Sequence, residues 1–287
     1  MMERGQLDFV PQPLVMVTWR PDDPAMPVKG VIAALHGFAV HAERGFHYFG
    51  PYMAARGWIV VAIDMPGFGH WQPASKRGTR AHWRLLPTAI DALVKRCHDM
   101  TPGKPVVLMG SSIGALGAID YMTSKHECPV DGVAAVVALV PAVGEFVLPW
   151  YLYLPGVIFA HTSPYIRLSI AKFVRLDSHD PNSIVYTPDP LVLDKVTLGF
   201  LWEILKTMKR AGIKGNAQAR WSPKIPIYLV SAGLDKFVKS EHIRTFYDGL
   251  PEGTMRQLDH RPGTITIYCT RPIAMPSLQG SMISFPR

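Results

Sequence analysis

The pattern in this chain best suited to chemistry is Gly110-Ser111-Ser112-Ile113-Gly114, a serine with a glycine two positions to either side. The apolar run Pro105 to Met109 before it reads as a strand and the residues after it as a helix, so Ser112 is expected on a tight strand-to-helix turn. Such a turn holds the hydroxyl out. Gly110 and Gly114 leave room where a Cβ would meet neighbouring backbone. The start of the helix offers amide groups and a positive dipole end to a developing oxyanion. The chemistry this predicts is nucleophilic attack on an acyl carbon, with Ser111 turned away into packing.

A tetrahedral oxyanion needs two amide donors, one from the residue after the nucleophile and one from the loop after an earlier core strand. His36-Gly37-Phe38 ends the apolar run Gly30 to Leu35, so the backbone N–H groups of Phe38 and Ile113 are the expected pair. Losing one such donor costs about 3 to 4 kcal/mol of transition-state stabilisation. His36 is expected to organise its loop by hydrogen bonding. The acid should follow the nucleophile, and Asp235 lies just past the apolar run Ile225 to Val230. Asp64 ends a strand but precedes Ser112, so it reads as a structural turn residue; Asp189 and Asp194 are poorer candidates. The base expected after the acid is His260, while His242 reads as a surface residue.

The elements that must position these groups follow from periodicity. Apolar runs at 14–19, 30–35, 58–64, 105–109, 133–139, 225–230 and 254–258 alternate with helical patterns at 46–56 and 81–97 and after Ser112. That alternation is the signature of a mostly parallel sheet with helices on both faces. Pro87 is expected to kink or delay the second helix. From about 144 to 219 strand alternation stops and aromatics and leucines accumulate, which predicts a helical cap too long for a loop. The expected organisation is a hydrolytic core at 1–143 and 220–259, a helical cap or lid at 144–219, and an atypical tail at 260–287.

With these pieces in place the chain resembles the monoacylglycerol lipase and lysophospholipase branch of the α/β-hydrolases. The matching residues are His36-Gly-Phe-Ala-Val-His41-Ala-Glu-Arg44, Asp64-x-x-Gly67-x-Gly69, the turn at Ser112, Thr187-Pro-Asp189-Pro-Leu-Val192 and the Asp235 loop. The resemblance covers roughly residues 28 to 259. Ser111 stands where the branch usually has histidine, and Ser231-Ala232 where it usually has His-Gly. The resemblance implies an α/β-hydrolase fold with an inserted cap and a carboxylic-ester hydrolase acting on single-chain lipids, with no cofactor and no metal. Leu148, Trp150, Leu152, Leu154, Val157, Ile158 and Phe159 are then either acyl-chain lining or cap packing. A related aminopeptidase-like hydrolase would want acidic groups in the cap to hold a free amine, and this cap is more basic than acidic.

The C-terminal end departs from the pattern. His260 comes a few residues earlier than that branch would place it, prolines at 262, 272, 276 and 286 preclude one terminal helix, and no acidic residue follows Asp259. Such a break is what an out-of-frame reading of the final segment would leave. It also keeps open a non-catalytic or inactivated hydrolase fold that only binds a ligand.

Composition sets the remaining bounds. Of 287 residues 48% are hydrophobic and 18% charged, enough for a substantial core. No apolar run is long enough to span a bilayer, and the N-terminus lacks a secretory pattern. Three widely spaced cysteines form no zinc or disulfide framework and suit a reducing compartment, so a cytoplasmic protein is expected. The net charge of +8 is scattered, with a modest cluster at Lys206 to Arg210. That cluster reads as a solvated helix face, with transient contact with an anionic lipid surface as the sharper alternative, and no motif supports nucleic-acid binding.

Overall fold

The computed structural model describes residues 1–124, 132–144, 158, 160–170, 189–235 and 237–262. Gly30–Leu35 (β3), Trp58–Ile63 (β4), Val106–Ser111 (β5), Ala135–Leu139 (β6) and Ile227–Ala232 (β9) are buried at every position. Because neighbouring side chains on a strand point to opposite faces, burial throughout means that both faces of the sheet are covered. Met2–Leu7 (β1), Leu14–Trp19 (β2) and Arg256–Arg261 (β10) complete an eight-stranded sheet in the order β1-β2-β4-β3-β5-β6-β9-β10. The β1–β2 and β2–β4 pairs are antiparallel and the rest parallel. This is the mostly parallel, helix-covered sheet expected from the alternation of runs, in the α/β-hydrolase arrangement that the resemblance implies. In such sheets, ligand sites form beyond the carboxyl ends of the strands.

The helices follow their local chemistry. The pattern over 46–56 divides into Ala42–Phe46 (α1) and Phe49–Ala54 (α2), with Pro51 in the first turn of α2, where its missing N–H has no cost. Gly57, at φ +85°, ends that segment. Pro87 separates Arg80–Arg84 (α3) from Leu86–Met100 (α4) by starting the second helix anew. Ile113–Thr123 (α5) begins directly after Ser112 and is buried along its whole length. Ser240–Asp248 (α7) links β9 to β10.

Two features lie within the stretch expected to be a cap. Arg167–Ser169 (β7) and Lys195–Thr197 (β8) form a small antiparallel sheet, each too short for alternation to be visible in sequence. Leu198–Ala211 (α6), capped by the Thr197 hydroxyl, packs on α3 and α5 rather than standing apart from the core. Arg210 donates Nε and Nη2 to the two oxygens of Asp120 at 2.8 and 2.6 Å. Glu203 takes Arg80 Nε at 2.7 Å and Arg84 Nη2 at 2.8 Å. Ile158 is exposed. The other candidate acyl-lining residues, Leu148, Trp150, Leu152, Leu154, Val157 and Phe159, lie outside the described residues, as does the tail from 263 onward.

Candidate active site

Ser112 sits between β5 and α5 with φ 53° and ψ −112°, a conformation a residue with a Cβ rarely adopts. Strain of this kind costs on the order of 1 to 3 kcal/mol and persists only where surroundings enforce it. Here the enforcement is visible. The Ser112 N–H donates to Leu139 O at 2.8 Å, and its carbonyl accepts from Leu116 N–H at 3.0 Å and Ala142 N–H at 3.3 Å. A Cβ on Gly110 would stand 2.4 Å from Ala115 N, and one on Gly114 2.4 Å from the carbonyl oxygens of Leu35 and His36. Both glycines are therefore required for α5 to close onto β5 and β3. Ser111, at the end of β5, is buried as expected.

The loop after β3 lies against Ser112: a Cβ on Gly37 would be 3.8 Å from Ser112 Cβ. Among the described residues the Phe38 N–H donates to no other group. The Ile113 N–H, first in its helix, has no intrahelical acceptor. His36 is fully buried, and its Nε2 accepts from Met65 N–H at 3.0 Å while its Nδ1 meets Gly37 O at 2.8 Å. A carbonyl only accepts, so Nδ1 carries the hydrogen. Burial lowers its pKa to about 4, against the opposing pull of Asp64, so the ring is neutral. It ties the β3 loop to the β4 loop.

Asp64 is the keystone of the same region. Its Oδ1 accepts from Ala42 N–H at 2.8 Å, and its Oδ2 contacts His70 N–H at 2.9 Å and His70 Nδ1 at 2.7 Å. Gly69, at φ +52°, has no room for a Cβ beside that carboxylate. Sequence reasoning gave no role to His70. Nor did it see that His41 and Arg44 share one carboxylate oxygen of Asp189 at 3.0 and 2.9 Å, a meeting of residues about 145 positions apart.

Asp235 follows β9, and its Oδ1 accepts from Phe237 N–H and Val238 N–H, both at 2.8 Å, which shapes the loop. His260 lies inside β10, not on a loop beyond it, because the ladder with β9 continues to Arg261, past the end at 258 that the sequence suggested. Its Nδ1 is 2.9 Å from Ser231 Oγ, and its Nε2 is 3.3 Å from where a Cβ on Gly233 would stand, beside the Asp235 loop. The registers place β6 and β9 between Ser112 and His260. Three strand spacings are about 14 Å, beyond hydrogen-bond reach for the two side chains. The Ser112–His260 bond that a base role requires is not formed in this arrangement. His242, expected at the surface, is half-buried, and its Nδ1 is 2.0 Å from where a Cβ on Gly144 would stand. Among the described residues no group of His, Cys, Asp and Glu could hold a metal ion.

Comparison with known proteins agrees with this fold. The family model described as "Serine aminopeptidase, S33" matches residues 26–263, ending just past His260. Phospholipase YtpA of Bacillus subtilis (strain 168) is 24% identical over 237 residues, 82% of this chain and 85% of that protein. Monoacylglycerol lipase of Mycolicibacterium smegmatis is 32% identical over 105 residues, 35% of this chain and 34% of that protein. The crystal structure of Paleococcus ferrophilus monoacylglycerol lipase superposes with a TM-score of 0.69 at 22% identity, covering 89% of this chain and 91% of that one. The chain belongs to the serine aminopeptidase S33 family of α/β-hydrolases and is a serine hydrolase.

Proposed function

We propose that the enzyme hydrolyses the carboxylic ester of a monoacyl lipid, a monoacylglycerol or a lysophospholipid, through an acyl-enzyme on Ser112. The observation that carries this reading is the strained turn at Ser112, with Gly37 against it and the start of α5 beneath it. In the first half-reaction the base takes the Ser112 proton as Oγ attacks the ester carbonyl. The N–H groups of Phe38 and Ile113 receive the oxyanion, and collapse expels the alcohol with the proton returned. Water repeats the sequence to release the fatty acid. Asp235 orients the base and stabilises its cation. His260 is assigned as base by chain order, since it follows nucleophile and acid, and by its place against Gly233 in the acid loop. To serve, the end of β10 must leave its ladder with β9 and carry the ring to Ser112, because turning the ring away from Ser231 does not span three strands.

The lipid assignment draws on the named activities of the relatives, a phospholipase and monoacylglycerol lipases. Residues 144–219 are the proposed cap, inserted between core segments 1–143 and 220–259. On its described part Tyr165 is 82% exposed, with Ile166 and Leu168 also exposed beside Arg167, which suits transient contact with a lipid surface. No helix among the described residues is long and apolar enough to cross a membrane, and Cys97 is a free, buried thiol. A cytoplasmic site of action fits that thiol.

A second reading, a fold that binds lipid without turning it over, is favoured by the His260–Ser231 bond. Substrate profiling separates the two. Monoacylglycerols and lysophospholipids of increasing chain length should be turned over faster than diacyl lipids and short p-nitrophenyl esters. Binding without turnover would favour the second reading, and turnover confined to amino-acid amides would contradict both.

A further inference from the structure

Two sequence motifs without a part in the triad, His41 to Arg44 and Asp189 to Val192, meet in space over the loop that carries Phe38. Asp189 Oδ2 accepts from Arg44 Nη1 at 2.9 Å and contacts His41 Nε2 at 3.0 Å, and its Oδ1 accepts from Leu191 N–H at 2.9 Å. A carboxylate that already accepts these bonds leaves His41 Nε2 as the hydrogen-bearing nitrogen. Burial alone would raise the Asp189 pKa, but the bonds from His41, Leu191 and Arg44 outweigh it and hold it at about 2. The carboxylate is charged throughout the neutral range.

The turn it anchors is bound to the catalytic loop directly. Leu193 N–H donates to Ala39 O at 2.8 Å, and Arg77 adds bonds to Gly69 O, Leu191 O and Pro190 O at 2.7, 3.2 and 3.0 Å. Ala39 is itself held at φ 69°. Among the described residues four non-glycines have positive φ: Ser112 and Val140, which follow directly on the paired ends of β5 and β6, Ala39, two residues after the Gly37 that lies against Ser112, and Asn216. Strain concentrated around one site is the mark of a built geometry. His41 is 5% exposed, so its ring is enclosed in the same junction.

We propose that Asp189 is a positioning residue: through His41, Arg44 and the Leu193–Ala39 bond it fixes residues 36–40 so that the Phe38 amide faces Ser112. The inference rests on the reading of Phe38 as an oxyanion donor. It explains why the two motifs occur together, because each is half of one latch.

The test compares wild type, Asp189→Ala and the near-isosteric Asp189→Asn by two measurements. Amide hydrogen exchange at Ala42, Gly45 and Leu193 should accelerate tenfold or more in Asp189→Ala, with β3 and β5 unchanged. The rate constant for fluorophosphonate labelling of Ser112 should fall about 30-fold or more, since loss of one oxyanion donor is worth on the order of a hundredfold. Asp189→Asn, which keeps one acceptor and the shape, should fall between, and it carries the test if Asp189→Ala does not fold. Unchanged exchange overturns the latch. So does accelerated exchange with an unchanged labelling rate, which would make Asp189 a structural tie only. If wild type itself is not labelled, the nucleophile reading fails separately, and exchange alone decides the latch.

Discussion

Ser112 was legible in the sequence because its constraint is local: two glycines, a preceding strand and a following helix fall within ten residues. The structure adds the reason for each glycine, an atom that a Cβ would strike. His36 was equally legible as a loop organiser, and its Met65 and Gly37 bonds give that role a mechanism. The partners of His41, Arg44 and His70 were not legible, since Asp189 and Asp64 reach them only through the fold. The base is where chain order and geometry part. His260 is bonded to Ser231, whereas His242 is packed at Gly144, which follows the Ala142 bond to the Ser112 carbonyl. If His260 is the base, His260→Gln should lower kcat about a thousandfold or more and His242→Gln less than threefold, both in steady-state ester hydrolysis. The reverse pattern would transfer the role to His242.

At the scale of elements, the buried strands announced themselves by continuous apolar runs, while β1, β7, β8 and the end of β10 did not. Met2–Leu7 is exposed at all but one position and is recruited by pairing with β2, so its own sequence carries no burial signal. β10 continues through polar residues because β9 supplies the ladder. The junction of α5 with β3 and β5 is the contact on which the site depends. Gly114→Ala would push a methyl against two backbone oxygens 2.4 Å away, and is expected to destabilise by about 3 kcal/mol or more or to prevent folding. Gly37→Ala meets its neighbours at 3.7 Å or beyond, which is ordinary contact, and should fold with near-native stability. Denaturant midpoints of the two variants check the contrast; equal midpoints would contradict it.

For the molecule as a whole, fold class was readable from the alternation of runs, but the seating of α6 was not. Its basic cluster reads as a solvated face, yet Arg210 pairs with Asp120 of α5, and Glu203 on the same helix takes Arg80 and Arg84 of α3. The same pairing shapes the response to acid. Burial lowers the pKa of both His36 and His82 to about 4 in the folded protein, against 6.5 unfolded, with Arg167 adding to the effect at His82. Between pH 6.5 and 4 the unfolded chain binds protons that the folded one refuses, so stability falls as pH is lowered through that window. Below it, Asp189 and Glu203, both held near 2, continue the loss in the same direction. Calorimetric Tm should be flat from pH 6.5 to about 8 and drop progressively towards pH 4; a Tm constant or rising on acidification would contradict the burial of these rings. The central claim, that Ser112 is the reacting nucleophile, is tested most directly by incubating folded protein with a fluorophosphonate and locating the adduct by peptide mass spectrometry. The account predicts a single phosphonylated site at Ser112, lost in Ser112→Ala; an unmodified Ser112, or labelling that survives Ser112→Ala, would contradict it.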